Sequence, residues 1–163
     1  MNTKSAYSVD LKKEGGNRMS VDLEEHYDKL YRYCFMRLKH PQAAEDAVQE
    51  TFLRFLENYS YREMGKKLAY LYTIARNLCI DQYRKKPEYP LKEETEGREE
   101  DLLETLALRQ ALLKLNEEER ELIFLRYVNE VAVNDIGKIL GISRFSVRRR
   151  LLEALKKLRS FME

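Results

Sequence analysis

The sequence predicts an all-α fold: two small helical domains joined by a flexible acidic linker, with a helix-turn-helix in the C-terminal domain. Three observations predict it. After residue 20, apolar residues recur at steps of three and four along most of the chain, and no stretch alternates as a half-buried strand does. Pro87, Pro90 and Gly97 interrupt that pattern among closely spaced carboxylates. Near the C-terminus one periodic segment stops at Gly141 and another starts after Ser143, which is the order of a helix, a tight turn and a capped second helix.

Taken in order, residues 1–20 have no periodicity and include Gly15 and Gly16, so they read as a disordered leader. The first helix is expected from about Asp22 to Lys39, with Asp22 and Glu25 spaced as a capping box. Its apolar stripe is Leu23, Tyr27, Leu30, Tyr31, Cys34, Phe35 and Leu38. The second starts near Pro41, a residue favoured in a first turn, and buries Ala44, Ala47, Val48, Phe52, Phe55, Leu56 and Tyr59. A third, from about Lys66 to Lys86, buries Leu68, Leu71, Tyr72, Ala75, Leu78 and Cys79. Residues 21–86 thus form one domain, 87–101 the linker and 102–163 a second domain of four helices. These run from Leu102 to Leu115, from a cap at Asn116 and Glu119 to about Tyr127, from Val133 to Leu140, and from the Ser143 cap to about Phe161.

Charge is distributed unevenly over this frame. Eight acidic residues against two basic ones fall between Pro87 and Glu104, a local net charge of −6, whereas Gly137–Glu163 holds eight basic against two acidic residues, a net of +6. A basic terminus beyond an acidic stretch suits a polyanion such as nucleic acid, and it equally suits a solvated helix face. With 36% charged and 44% hydrophobic residues, the chain can build a core, but no apolar stretch is long enough to cross a bilayer. No secretion signal follows Met1, so the expected location is the cytoplasm. Cys34 and Cys79 belong to no CxxC or Cys/His cluster and read as reduced core fillers. His26 and His40 have no ligand spacing, and there is no Gly-rich phosphate loop. No metal, cofactor or small-molecule substrate is expected, and the chain is not expected to be an enzyme.

Three faces remain once the apolar stripes are assigned. Asp46, Gln49, Glu50 and Leu53 make an acidic face with one exposed leucine, a surface for a protein partner or an ordinary solvated face. Tyr70, Thr73, Asn77, Asp81 and Arg84 share a face of the third helix, with Arg76, Lys85 and Lys86 beside it and Tyr59 and Tyr61 in the preceding loop. Rings stack on bases, Asn bonds base edges and Arg or Lys holds phosphate, so the mixture suits an unpaired strand; half-buried packing is the other reading of the tyrosines. In the last helix Val147, Leu151, Ala154, Leu155 and Leu158 face the core. Arg144, Phe145, Ser146, Arg148 and Arg149 then occupy the first turns, and with Ser143 and Arg150 they form a candidate recognition surface. A helical hairpin with a charged exterior is the alternative. Gly137 lets the two helices of the hairpin approach closely.

Two blocks carry a resemblance. The first is Ala44-Glu45-Asp46-Ala47-Val48-Gln49-Glu50-Thr51-Phe52-Leu53 followed by Tyr70-Leu71-Tyr72-Thr73-Ile74-Ala75-Arg76-Asn77-Leu78-Cys79-Ile80-Asp81. The second is Leu115-Asn116-Glu117-Glu118-Glu119-Arg120-Glu121, Leu125-Arg126-Tyr127, and Gly141-Ile142-Ser143 with Val147-Arg148-Arg149-Arg150-Leu151. Over about residues 22–161 the chain resembles bacterial sigma-70-family RNA polymerase sigma factors of the extracytoplasmic-function group, in their second and fourth regions. The resemblance implies that Asp46, Gln49, Glu50 and Leu53 dock on the clamp of the polymerase largest subunit. It implies that Tyr70, Thr73, Arg76, Asn77, Asp81, Arg84 and Lys85 capture the non-template strand of the minus-ten element. Ser143, Arg144, Phe145, Ser146 and Arg148 to Arg150 would read the minus-thirty-five duplex, and the linker would run through the polymerase channels without binding DNA. Implied partners are core RNA polymerase, including the flap of its second-largest subunit, promoter DNA and an anti-sigma factor, which can hold such a protein at the membrane without its inserting there. A DNA-binding regulator that does not engage polymerase is the alternative, and a purely protein-binding helical module is a third.

The chain departs from the family pattern at several positions. Tyr70 stands at the usual Trp position and Lys67 where an aromatic is common; Asn116 replaces a Pro; Ala132 replaces a capping Ser or Thr, a loss that costs about 1 kcal/mol; Arg149 replaces a small polar residue. Lys13-Glu14-Gly15 can be encoded by AAG GAG G, a ribosome-binding sequence, so translation is expected to begin at Met19. The intact mass of the native product tests that start.

Overall fold

The structure, a computed structural model, describes residues 17–57, 67–85 and 99–163. Seven α-helices lie among them: α1 Asn17–Leu38, α2 Pro41–Glu57, α3 Lys67–Lys85, α4 Glu99–Lys114, α5 Glu117–Ile123, α6 Val133–Leu140 and α7 Arg144–Met162. The described residues contain no strand. The chain divides into two compact units, Met1–Tyr89 and Pro90–Glu163. Among the described residues no helix is long and apolar enough to cross a membrane. Tyr59, Tyr61, Lys66, Lys86 and the greater part of the leader and linker lie outside the described residues.

In the first unit α1, α2 and α3 pack on one another. Leu30, Cys34, Ala44, Val48, Phe55, Leu71, Tyr72 and Ala75 are fully buried between them. The expected stripe on α1 is displaced. Tyr33, absent from the expected core, is wholly buried with its ring set edge-on to Tyr72 at 5.6 Å, whereas Phe35 is 41% exposed and stacks on Tyr31. An edge-to-face pair adds about 0.5–1.5 kcal/mol beyond the area it buries, which favours turning Tyr33 inward beside Leu30, Cys34 and Leu38. Ala69 and Ile74 on α3 are likewise buried beyond the expected set, and Leu56 and Leu68 are only half-buried. Cys34 and Cys79 are buried free thiols, and the hydrogen bond between them, then burial, pushes the Cys34 thiol up.

Two boundaries also differ. The helix at α1 begins at Asn17, so Asp22 and Glu25 lie inside it and past its first turn; no Pro or Gly stands between Gly16 and Asp22 to stop it earlier. Likewise α4 begins at Glu99, inside the stretch expected to be linker, where acidic residues suit a helix N-terminus.

The join between α1 and α2 is built by two side chains. Lys39 takes a left-handed conformation, φ 57°, and its N–H donates to Phe35 O at 2.8 Å, closing α1. His40 then caps α2, its Nδ1 accepting from the Ala43 N–H at 3.2 Å. Loss of such a cap costs about 1 kcal/mol, so His40→Ala is expected to lower the unfolding free energy by that amount and His40→Asn to retain it, measured by urea unfolding.

In the second unit α7 is the central helix, packed against α4, α5 and α6. Leu115, Ile123 and Ala154 form one cluster of its core with Leu112 and Leu158 against them, and Leu122, Leu125, Ile136, Val147 and Leu151 are buried as well. The expected cap at Asn116 is complete: its side chain accepts from the Glu119 N–H at 2.8 Å, and the Glu119 carboxylate accepts from the Asn116 N–H at 3.0 Å. Helix α5 runs into a π-helical turn, Phe124–Val128, that no sequence signal announces. Beyond it Asn129 is fully buried, and the Arg126 guanidinium donates to Val131 O at 3.2 Å.

Candidate protein and nucleic-acid interfaces

Three surfaces stand on this frame, two in the first unit and one in the second. On α2 the buried side is Ala44, Ala47, Val48, Thr51, Phe52 and Phe55, which leaves Asp46, Gln49, Glu50 and Leu53 on the outer side. Leu53 is 54% exposed. Gln42 Nε2 donates to Asp46 Oδ1 at 3.0 Å, and Arg54 Nε donates to Glu50 Oε1 at 3.0 Å. Both contacts are one turn apart on an exposed helix, worth only about 0.3–0.5 kcal/mol each, so an incoming partner can exchange them easily. The face is a leucine ringed by polar groups that are already ordered.

On α3, Leu71, Tyr72, Ile74, Ala75 and Leu78 point inward. Tyr70, Thr73, Asn77 and Asp81 follow one another along the outer stripe, with Arg76 beside it. The Tyr70 ring is half-buried and leans on Phe55, centroids 6.0 Å apart, so its position is set by the core. Thr73 Oγ1 donates back to Ala69 O at 2.8 Å. Asn77 and Asp81 are exposed. Arg84 and Lys85 fall in the last turn of the same helix.

The third surface depends on two glycines. Gly141 ends α6 in the left-handed conformation, φ 70°, which leads the chain directly to Ser143. A Cβ on Gly137 would lie 2.8 Å from the backbone oxygen of Ile142, so only glycine allows the turn to sit that close to α6. Ser143 Oγ accepts from the Ser146 N–H at 3.1 Å and holds the first turn of α7. Ala132 supplies no side-chain cap to α6, as its residue type requires.

Not all of the expected arginines face outward alike. Arg148 and Arg149 are exposed, and the Arg144 guanidinium lies over the Phe145 ring at 5.2 Å. Arg150 instead forms an ion pair with Glu118 across to α5. Beside it Lys157 Nζ donates to Glu119 Oε1 at 2.5 Å, so two charge pairs fasten α7 to the start of α5. No spacing rule links partners so far apart in sequence.

The Lys157 hydrogen bond holds the Glu119 carboxyl below the usual carboxylate range, against the opposing effect of burial, and the Asn116 N–H assists. A depressed native value means the stabilisation is complete above the unfolded carboxylate range and disappears as pH falls through the native value. Wild type is therefore expected to exceed Glu119→Gln in unfolding free energy at neutral pH, and the difference should shrink as the solution is acidified through that range. An unchanged difference at every pH would contradict the linkage.

One outward residue was not singled out in the sequence. Leu152 is 62% exposed and lies seven residues after Phe145, a spacing that places both on one side of α7.

The first unit thus carries an exposed leucine among polar side chains on α2 and a polar stripe with one ring on α3, and the second presents a capped basic helix. The family profile for Sigma-70 region 2 matches residues 23–87, and that for Sigma-70, region 4 matches residues 111–160. The chain is 35% identical to the ECF RNA polymerase sigma factor SigW of Bacillus subtilis, covering 89% of this chain and 91% of that one. It is 32% identical to the RNA polymerase sigma factor YlaC of the same species, over 85% and 88% of the two chains. Among solved structures, its fold resembles the sigma factor RpoE of Bartonella quintana in complex with the anti-sigma factor NepR, at TM-score 0.71 and 22% identity over 88% of this chain and 96% of that one. It also resembles CnrH in complex with the cytosolic domain of CnrY, at TM-score 0.64 and 22% identity over 98% and 94%. The chain belongs to the extracytoplasmic-function group of sigma-70-family RNA polymerase sigma factors.

Proposed function

We propose that the protein binds core RNA polymerase through the outer face of α2, recognises two promoter elements with α3 and α7, and opens the duplex between them without nucleotide hydrolysis, directing polymerase to a specialised set of genes. The observation that carries this reading is the pairing in one chain of the ordered α2 face with an α7 whose first turn is capped and bears outward arginines. A regulator that binds DNA alone has no need of the first of these.

Each face has a physical part. Leu53 supplies the apolar contact on α2, and Asp46, Gln49 and Glu50 its rim, for the clamp of the largest subunit. On α3, Tyr70 offers a stacking surface backed by Phe55, and Asn77 and Asp81 offer hydrogen bonds to a base turned out of the stack. Unstacking costs a few kcal/mol per step, and stacking on a protein ring returns about 1–3 kcal/mol per base, so capture on α3 offsets opening with no other energy source. Arg144, Arg148 and Arg149 are the exposed arginines in the first turns of α7 that reach the upstream duplex, and Arg150, paired with Glu118 on the surface, can exchange that partner for a phosphate.

The acidic stretch between the units is assigned to the polymerase channels, and Leu113, Tyr127 and Val128, exposed apolar side chains of the second unit outside α7, to the flap of the second-largest subunit. An anti-sigma factor is a fitting inhibitor, since the RpoE structure is a complex with such a protein. Where polymerase and promoters are, in the cytoplasm, is where the protein acts. The test is core binding: Leu53→Asp is expected to abolish association with core polymerase while leaving the unfolding curve unchanged. Full association by that variant would remove α2 from the account.

A further inference from the structure

The two most exposed large apolar side chains among the described residues, Phe145 at 66% and Leu152 at 62%, lie on one stripe of α7. Arg149 falls between them and Lys156 beyond them, at steps of four, three and four, and all four are exposed. The opposite side of the helix is Val147, Leu151 and Ala154, which make the core. Single exposed apolar residues are ordinary, but two of this size interleaved with cations on one stripe form a surface that fits a ligand both apolar and anionic.

Phe145 sits in the first turn, where the Ser143 cap fixes the backbone. That turn carries no acidic residue, and Arg144 lies over one face of the ring. DNA supplies the matching chemistry. Thymine alone presents an apolar group, its 5-methyl, in the major groove, and phosphates or guanine acceptors flank it for Arg148 and Arg149. A protein partner covering the same stripe has to neutralise Arg144, Arg148, Arg149 and Lys156 with acidic groups of its own.

We infer that Phe145 is a specificity-determining residue that reads the 5-methyl group of a thymine in the upstream promoter element. The inference rests on the proposal that α7 enters the major groove of that element. It assigns one base to one side chain.

The experiment uses the full chain with core polymerase. Templates are selected from a library randomised across the upstream element, and each thymine of the selected element is then replaced by deoxyuridine, which removes only the methyl group. Holoenzyme affinity is expected to fall about fourfold at one position, the value for withdrawing one buried methyl-sized group. Phe145→Ala should bind thymine and deoxyuridine templates equally, still associate with core polymerase, and prefer no base there; Phe145→Leu should retain part of the preference. The inference is overturned by deoxyuridine that is neutral at every position, by a selected element lacking thymine, or by sensitivity that persists in Phe145→Ala. A Phe145→Ala protein with unchanged DNA selectivity assigns the stripe to a protein partner and overturns it equally. Failure of the wider reading looks different, because then the library yields no template at all.

Discussion

Gly137→Ala is expected to reduce recognition of the upstream promoter element more than tenfold while association with core polymerase is unchanged. Replacing a helical glycine by alanine ordinarily favours a helix by about 0.5–1 kcal/mol. Here the new Cβ meets the Ile142 carbonyl oxygen at 2.8 Å, with Arg144 N at 3.7 Å and Ser143 C at 3.8 Å behind it. These are backbone atoms, and the Ile142 N–H is itself bonded to Gly137 O at 3.0 Å, so the turn cannot swing aside as a side chain would. Overpacking of this kind costs about 1–3 kcal/mol and exceeds the propensity gain. The turn has to move, and the Ser143 cap and first turn of α7 move with it. Because α2 belongs to the other unit, core binding is the internal control. A second control is Gly141→Asn: nothing lies within 4 Å of its Cβ position, and asparagine tolerates the left-handed conformation, so recognition should be nearly retained.

Phe55→Ala is expected to unfold the first unit. Its ring is fully buried, and truncating such a residue costs about 3–5 kcal/mol. A helical unit this small has little more stability than that to lose. The same ring supports Tyr70, so the core contact and the strand-capturing stripe share one residue. Hydrogen exchange should show α1, α2 and α3 losing protection while α5 and α7 keep theirs, and core binding and promoter opening should fail together. Phe55→Leu separates the two roles. It keeps the unit folded at a cost of about 1 kcal/mol but withdraws the ring behind Tyr70, so opening should fall further than core binding. Equal loss of both would mean that Tyr70 does not act through its support.

The contrast between α2 and α1 explains how much of the fold was legible. Along α2 the spacing of Ala44, Ala47, Val48, Phe52 and Phe55 specified the buried side, because small and apolar residues there leave only one side that can pack. On α1 Tyr27, Tyr31 and Phe35 follow at steps of four on one side, and periodicity selected that side; Tyr33 lies on another, and its edge-on contact with Tyr72 on a different helix favours burying it instead. Caps and turns at Asn116, Gly141 and Ser143 were legible because each is a local arrangement of a few residues. The ion pair of Arg150 with Glu118 was not, since it joins residues 32 positions apart. Nor did any pattern announce the π-helical turn at Phe124–Val128. The candidate faces were legible as stripes. Which side chains on them were already engaged required the packed structure.

Whether the protein directs promoter-specific initiation is decided by transcription in vitro from fragmented genomic DNA by core polymerase with and without the full chain, reading the 5′ ends of the products. Discrete starts are expected that appear only when the protein is present, that share two sequence blocks upstream, and that vanish with Gln49→Ala or Asn77→Ala although both variants remain folded. Starts identical with and without the protein, from a preparation that is folded and binds core polymerase, would contradict that function.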